Sequence, residues 1–398
     1  MSVARYTNAP VILVGDIDKG GVFASFYGTI GLLKDKPNPP IPHLLKGGQG
    51  GLCDADYIKA FIVNKFRGDM EILRPGLRMI EHKTGRPVIG VINYFGDLGL
   101  HEEDAIPIER LIPKRRDEPF KAIKIVVLRL RYIANFTDFD PFMYEPGVEL
   151  KYSLREEDID SADLIIIPGS KNTVNDLLFL RQNGIEDYVK LAVNKGTPLI
   201  GICGGYQMLG SKIFDPYRIE SSHKEIDGFG LLDIETTLEK IKTTCQIEAE
   251  LIENNGIMES WRNGEMDSNI LRGYEIHMGG SKGDIGLFKI RRFSPDSKLL
   301  ILNSELFLDG SLKGNVWGTY IHGLFDNDSF RTALLNSLRY RKGLPPIKET
   351  INYFELKENA IDKWADVLRS SVDVCFILSR LIGMDMEYCT KYPNRENA

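Results

Sequence analysis

Pro198-Leu-Ile-Gly-Ile-Cys203-Gly-Gly-Tyr-Gln-Met-Leu209 is the stretch on which the reading of the whole chain turns. A short apolar run leads into Gly201-Ile-Cys203-Gly-Gly205, and a helix-like segment follows. This is the thiol form of the Gly-x-Ser-x-Gly elbow, in which a buried strand turns sharply into a helix at a strained residue. Flanking glycines remove the Cβ atoms that would clash in so tight a turn. The helix N-terminus supplies backbone N–H groups and a positive dipole end, which favour a thiolate. A lone cysteine is more often a buried structural residue. Strand, double glycine and helix together make Cys203 the candidate nucleophile.

Composition sets the frame. The chain has 398 residues, too many for one ordinary core, so two domains and an appendage are expected. It is 43% hydrophobic and 27% charged, within the range of globular proteins. A net charge of −6 argues against nucleic acid as the main partner. Cys53, Cys203, Cys245, Cys375 and Cys389 are scattered with no C-x-x-C pair, so neither a zinc site nor a disulfide framework is indicated. Free thiols fit a reducing cytoplasm. No apolar run reaches membrane-spanning length, so no membrane partner is expected.

Apolar runs at Pro10–Gly15, Ala60–Asn64 and Pro87–Ile92 alternate with helix-like segments at Val22–Leu33 and Ile72–Thr84. That is the βαβ rhythm of a doubly wound parallel sheet. Lys34–Cys53 holds four prolines and four glycines and reads as a surface loop. The charged stretch Glu109–Lys121 reads as a linker. A second alternating series follows, with strands at Ile123–Leu128, Asp163–Ile167 and Pro198–Ile202 and helices at Thr173–Arg181 and Glu186–Val193. Leu231–Leu238 and Phe288–Arg292 read as antiparallel or edge strands, and Val316–His322 closes the set. Beyond Phe330 the pattern is helical. Lys357–Leu381 carries one apolar face, with packing onto the second domain as the expectation. The domains expected are therefore 1–115, 122–330 and a helical extension over 331–398.

A cysteine nucleophile needs a base and an oxyanion hole. His322, in Trp317-Gly-Thr-Tyr-Ile-His322-Gly-Leu-Phe325, stands at a strand end, where open α/β sheets place their ligands. His277, in Gly273-Tyr-Glu-Ile-His277-Met-Gly279, competes with it on sequence grounds. His43, His82, His101 and His223 lie in polar or proline-containing segments and read as surface residues. Ile167-Pro-Gly169-Ser-Lys-Asn172 follows a strand and opens a helix, so Gly169 and Gly204 are the candidate oxyanion donors, an ordinary turn being the plainer alternative.

Gly-x-Cys-x-Gly-x-Gln followed by a strand-end histidine is similar to the class I (triad) glutamine amidotransferases. Asn135-Phe-Thr-Asp-Phe-Asp140, Pro168-Gly-Ser-Lys-Asn-Thr173, Gly201–Gly210, Gly273–Gly279 and Thr319–Phe325 together resemble the cobyric acid synthase family, in the family's order and over nearly the whole chain. The resemblance implies glutamine and a corrinoid as substrates, and ammonia passed to an ATP- and Mg²⁺-dependent amidation site on the first domain, with no bound prosthetic group. In that family the b, d, e and g carboxylates of adenosylcobyrinic acid a,c-diamide become amides, giving cobyric acid. By resemblance Cys203 attacks the glutamine amide, His322 moves the proton, Gly169 and Gly204 hold the oxyanion, and Gln207 positions the substrate. The usual His-x-Glu would put a carboxylate at position 324, where Leu324 stands. The site thus reads as a dyad with its orienter open.

The first domain resembles an incomplete dethiobiotin-synthetase-like fold, through Val14-Gly-Asp16-Ile-Asp18-Lys-Gly-Gly21-Val-Phe-Ala-Ser25. Asp16 and Asp18 are candidates for Mg²⁺ or for orienting the activated carboxylate, helix capping being the alternative. Asn64 stands where such folds meet the nucleotide base. Glu102, Glu103 and Asp104 are candidates to approach the corrin or metal, with a solvated acidic turn as the alternative. Gly15–Gly20 has the glycine spacing of a P-loop, but Gly21-Val22 follow where Lys-Ser/Thr is required. The resemblance implies a strand and a true P-loop upstream. A truncated product, a mis-started chain, one half of a split enzyme completed by a partner chain, and a homo-oligomer all stay open. So do a non-catalytic corrinoid-binding remnant and a class I amidotransferase acting on another acid.

Overall fold

Runs of Ile, Val and Leu form the parallel strands at the centre of each unit. The computed structural model describes residues 1–34, 53–95, 123–252, 270–293, 306–348 and 351–384. Contacts divide the chain into two units, Met1–Leu100 with Glu355–Ala398, and His101–Phe354. The 109–121 stretch, Glu102, Glu103, Asp104, His43, His101, Cys389 and nearly all of the 34–53 loop lie outside the described residues.

In the first unit three parallel strands, Val11–Asp16, Ile58–Phe66 and Val88–Asn93, pair in that order. Helices Val22–Lys34 and Met70–Thr84 flank the sheet. On one face Val22, Phe26 and Ile30 meet Phe61 and Val63, with Phe26 stacked on Phe61 at 4.5 Å. The opposite face carries Ala60, Ile62, Ile89 and Ile92, and it corrects one expectation. The amphipathic C-terminal helix, Tyr353–Ser371, does not turn its apolar stripe to the second domain. Trp364, Val367 and Leu368 pack on this face, joined by Phe376 and Ile377. Asp373 N–H donates to the Ile89 carbonyl at 2.6 Å, and Val372 bridges Gly90. A sheet apolar on both faces needs both covered, and this helix covers the second.

The second unit centres on a six-stranded sheet ordered Ser311–Lys313, Val316–Thr319, Leu199–Ile202, Leu164–Ile167, Ile123–Leu128, Val148–Ser153. All its pairings are parallel except that of the edge strand Ser311–Lys313. Leu164–Ile167 and Leu199–Ile202 are buried at every position, which explains their unbroken apolar sequence. A second, seven-stranded sheet is built around the antiparallel pair Ile234–Leu251 and Ile270–Gly283. The segment expected to be one strand to His322 breaks at Tyr320. Val316–Thr319 stays in the six-stranded sheet, whereas Ile321–His322 pairs with Tyr274 and Glu275 of the other sheet. His322 therefore stands where the chain crosses between sheets, at the carboxyl edge of the parallel one.

Candidate active site

The elbow has the geometry its sequence dictates. Cys203 sits at φ 51°, ψ −108°, a strained conformation for a residue with a Cβ, between strand Leu199–Ile202 and helix Gly204–Leu209. Its N–H donates to the Thr319 carbonyl at 2.8 Å, and its own carbonyl accepts from Gln207 N–H at 3.0 Å. The glycine at 205 is a steric necessity, because a Cβ there would lie 2.0 Å from the Ile167 carbonyl oxygen. The helix thus enters directly over the end of the neighbouring strand, and the thiol is held at the sheet edge, 7% exposed.

His322 is the histidine that meets this thiol. The ring is fully buried, and it and Cys203 both border Gly169, a Cβ on which would lie 3.3 Å from His322 Cε1 and 3.8 Å from Cys203 Cβ; the thiol itself donates to the Ile276 carbonyl at 3.7 Å. Nδ1 lies 2.7 Å from Asp138 Oδ2, and the other carboxylate oxygen accepts the Gly323 N–H at 3.0 Å. Burial disfavours the charged ring, yet the Asp138 carboxylate and the Cys203 sulfur outweigh it and push the His322 pKa up to about 10. Tyr274 stacks on the imidazole at 5.2 Å and 18°. Asn135 Nδ2 is 3.1 Å from each ring nitrogen. A point equidistant from both at that range lies over the ring face, since an in-plane position would overlap Cε1. Asp138 thus stands against His322 where the sequence, with Leu324 at the usual carboxylate position, leaves the orienter open. Asp138, Asn135 and Tyr274 were missed as site residues, although all three lie in stretches singled out as motifs.

The remaining expectations divide. Gly169 lies beside the reacting groups, for a Cβ on it would be 3.3 Å from His322 Cε1 and 3.8 Å from Cys203 Cβ. A Cβ on Gly204 would sit 2.9 Å from Ser170 N, so the two turns interlock. Gln207 is spent inside the protein. Its Oε1 accepts from the Thr173 hydroxyl at 3.1 Å, and Nε2 donates to the Met278 carbonyl at 3.1 Å and the Tyr320 hydroxyl at 3.3 Å. These three bonds fix the Gln207 amide between the Thr173 turn, Met278 and Tyr320. His277 belongs to a separate network, stacked on Tyr320 at 4.0 Å with Nδ1 2.9 Å from the Gly279 carbonyl and Nε2 3.5 Å from Glu275.

In the first unit Asp16 and Asn64 are register partners at the carboxyl ends of adjacent strands. Asp16 pairs with Lys65 at 3.0 Å, and this partner holds its carboxyl below the usual range; Asp18 pairs with Arg67 at 3.1 Å. Asp16 does not cap the following helix, which begins only at Val22; its Oδ1 accepts the Asp18 N–H at 2.9 Å in the turn. The Asn64 amide oxygen accepts from Lys65 N–H at 2.9 Å. Among the described residues no cluster of three His, Cys, Asp or Glu side chains could hold a metal ion. The residues present at Asp16 do not fit a Mg²⁺ site, because cationic side chains already occupy the carboxylates.

Residues 124–330 match the CobB/CobQ-like glutamine amidotransferase domain. The cobyric acid synthase of Thermodesulfovibrio yellowstonii is 46% identical over 374 residues, covering 94% of this chain and 68% of the relative. That of Clostridium botulinum strain Langeland is 42% identical over 389 residues, covering 96% and 70%. A solved glutamine amidotransferase aligns over 54% of this chain and 98% of its own, at 18% identity and a TM-score of 0.35.

Proposed function

The chain belongs to the cobyric acid synthase family, enzymes of glutamine-dependent amidation in cobalamin synthesis, and from that premise we propose that Cys203, His322 and Asp138 form its glutaminase centre. The observation that carries this is the strained thiol at the sheet edge beside a buried, carboxylate-held imidazole.

His322 accepts the Cys203 thiol proton, the sulfur attacks the side-chain amide carbon of glutamine, and the carbonyl electrons move onto oxygen. The N–H groups of Gly169 and Gly204 are the proposed donors to that oxyanion. As the tetrahedral adduct collapses, the C–N bond breaks, His322 delivers a proton to the leaving nitrogen, and ammonia departs from a γ-glutamyl thioester. Water then adds with His322 as base, the C–S bond breaks, and glutamate leaves with the thiol restored. Asp138 holds Nδ1–H throughout, fixing the ring's orientation and stabilising its charged form. The ammonia serves amidation of the b, d, e and g carboxylates of the corrin, activated by ATP, in the cytoplasm. Among the described residues of the first unit, Lys65 and Arg67 face the Asp16 and Asp18 carboxylates, and no group of three metal-ligating side chains gathers there.

Glutaminase assay of single variants tests the centre. Cys203→Ser and His322→Ala should each remove glutamate release from glutamine while the fold, followed by circular dichroism, is kept. Normal turnover in Cys203→Ser would sink the mechanism.

A further inference from the structure

The orienting carboxylate comes from a segment 184 residues away from the base it serves. A local His-x-Glu pair is held by its own strand. A remote one needs a tie between the two segments, and the fold contains a candidate in Arg331. This guanidinium is completely buried in helix Asp328–Arg341. Nε donates to Glu145 Oε1 at 2.6 Å and Nη1 to the Phe325 carbonyl at 2.8 Å. Nη2 donates to Asp328 Oδ1 at 2.8 Å and to the Ile351 carbonyl at 2.7 Å.

Two of those partners belong to the segments that carry the orienter and the base. Glu145 closes the short helix Pro141–Tyr144, which follows directly from the turn Phe136–Phe139 holding Asp138. Phe325 lies in the turn Leu324–Asp326, directly after His322-Gly323. The same two segments meet through their rings, with Phe325 6.1 Å from Phe139 and 4.8 Å from Phe142. Glu145 is buried, and its Oε2 has no partner among the described residues, so Arg331 is its counter-charge. A planar, forked cation suits this task, because it bonds both segments at once and a lysine cannot.

We propose that Arg331 is a positioning residue for the glutaminase, clamping the Asp138 segment to the His322 segment so that the carboxylate stays in line with the imidazole. The proposal rests on the Cys203–His322–Asp138 reading. Asp138, Cys203 and Tyr274 are the titratable groups facing His322; Glu145, Asp328 and Tyr353 surround Arg331.

The test compares Arg331→Lys and the apolar pair Glu145→Leu with Arg331→Met, the second removing both buried charges so that the fold survives. Both are assayed in the full chain beside Cys203→Ser. A slackened clamp should lower glutaminase kcat by about 10- to 100-fold, with KM for glutamine changed far less. It should also move the alkaline limb of kcat/KM down by about one pH unit or more, because His322 loses an aligned anion. Loss of stability alone would leave that limb in place. Folded variants with wild-type kcat and an unmoved limb would overturn the clamp and leave the catalytic centre standing. Glutaminase activity surviving in Cys203→Ser would overturn the centre, and the clamp with it.

Discussion

Asp138 decides what His322 can do. An imidazole as buried as this one would ordinarily be neutral, and a neutral ring cannot protonate departing ammonia. The carboxylate at 2.7 Å, with the sulfur, reverses that. Asp138→Asn should therefore lower glutaminase kcat/KM by about 100-fold or more while the protein stays folded, read by steady-state assay. The same group makes a pH prediction. The folded pKa lies above the ordinary 6.5, so protonated His322 stabilises the fold in full below about 6.5, and this contribution fades as pH rises through about 10. Melting curves should show the wild-type advantage over Asp138→Asn largest near pH 6 and shrinking toward pH 10; a constant difference would refute the linkage. Spacing does not reveal Asp138, because the local His-x-Glu pattern points to position 324, where Leu324 stands. The signal lay in Asn135-Phe-Thr-Asp-Phe-Asp140, whose chemistry becomes visible only once the turn Phe136–Phe139 is folded against His322.

Elements were legible where burial is uniform. The strand Leu199–Ile202 and its glycine-flanked turn show in sequence because every position is enclosed, and no polar residue interrupts the run. Strand Ile234–Leu251 shows less, since beyond Leu238 it turns mostly exposed or half-buried positions outward and its apolar alternation dissolves into Glu, Lys and Thr. Only the stretch to Leu238, inward at Ile234, Thr236 and Leu238, falls within the strand read from sequence. The crossing at Tyr320 was illegible for another reason: both halves are apolar, and only pairing partners distinguish them. The elbow makes the sharpest prediction among the elements. Gly205→Ala places a methyl 2.0 Å from the Ile167 carbonyl, and backbone cannot yield as a flexible side chain would. Chemical denaturation should show a loss of about 1–3 kcal/mol, and alkylation of Cys203 by a glutamine-like electrophile should slow by at least as large a factor as turnover. Wild-type labelling in a destabilised variant would separate the elbow's geometry from its stability.

At the scale of the molecule, the amphipathic stripe of the last helix was readable, but the surface it covers was not. Helix periodicity reports which residues face inward and carries no address for the partner. The sheet at Ile62, Ile89 and Ile92 supplies that address, because its second face is apolar and the helix carrying Trp364 closes it. Asp138, His322 and Cys203, the proposed orienter, base and nucleophile, all lie within His101–Phe354, whereas Trp364 belongs with Met1–Leu100. Trp364→Ala should then act on one unit. Trp364 rests edge-on against Phe95 at 4.9 Å, and truncating it should cost about 2–4 kcal/mol in that unit's packing. Hydrogen exchange should quicken in Ile58–Phe66 and Val88–Asn93, with glutaminase kcat and its pH limb unchanged. Equal loss of glutaminase activity would show that the thiol site depends on the packing of the first sheet, and the assignment of catalysis to the second unit alone would have to be given up.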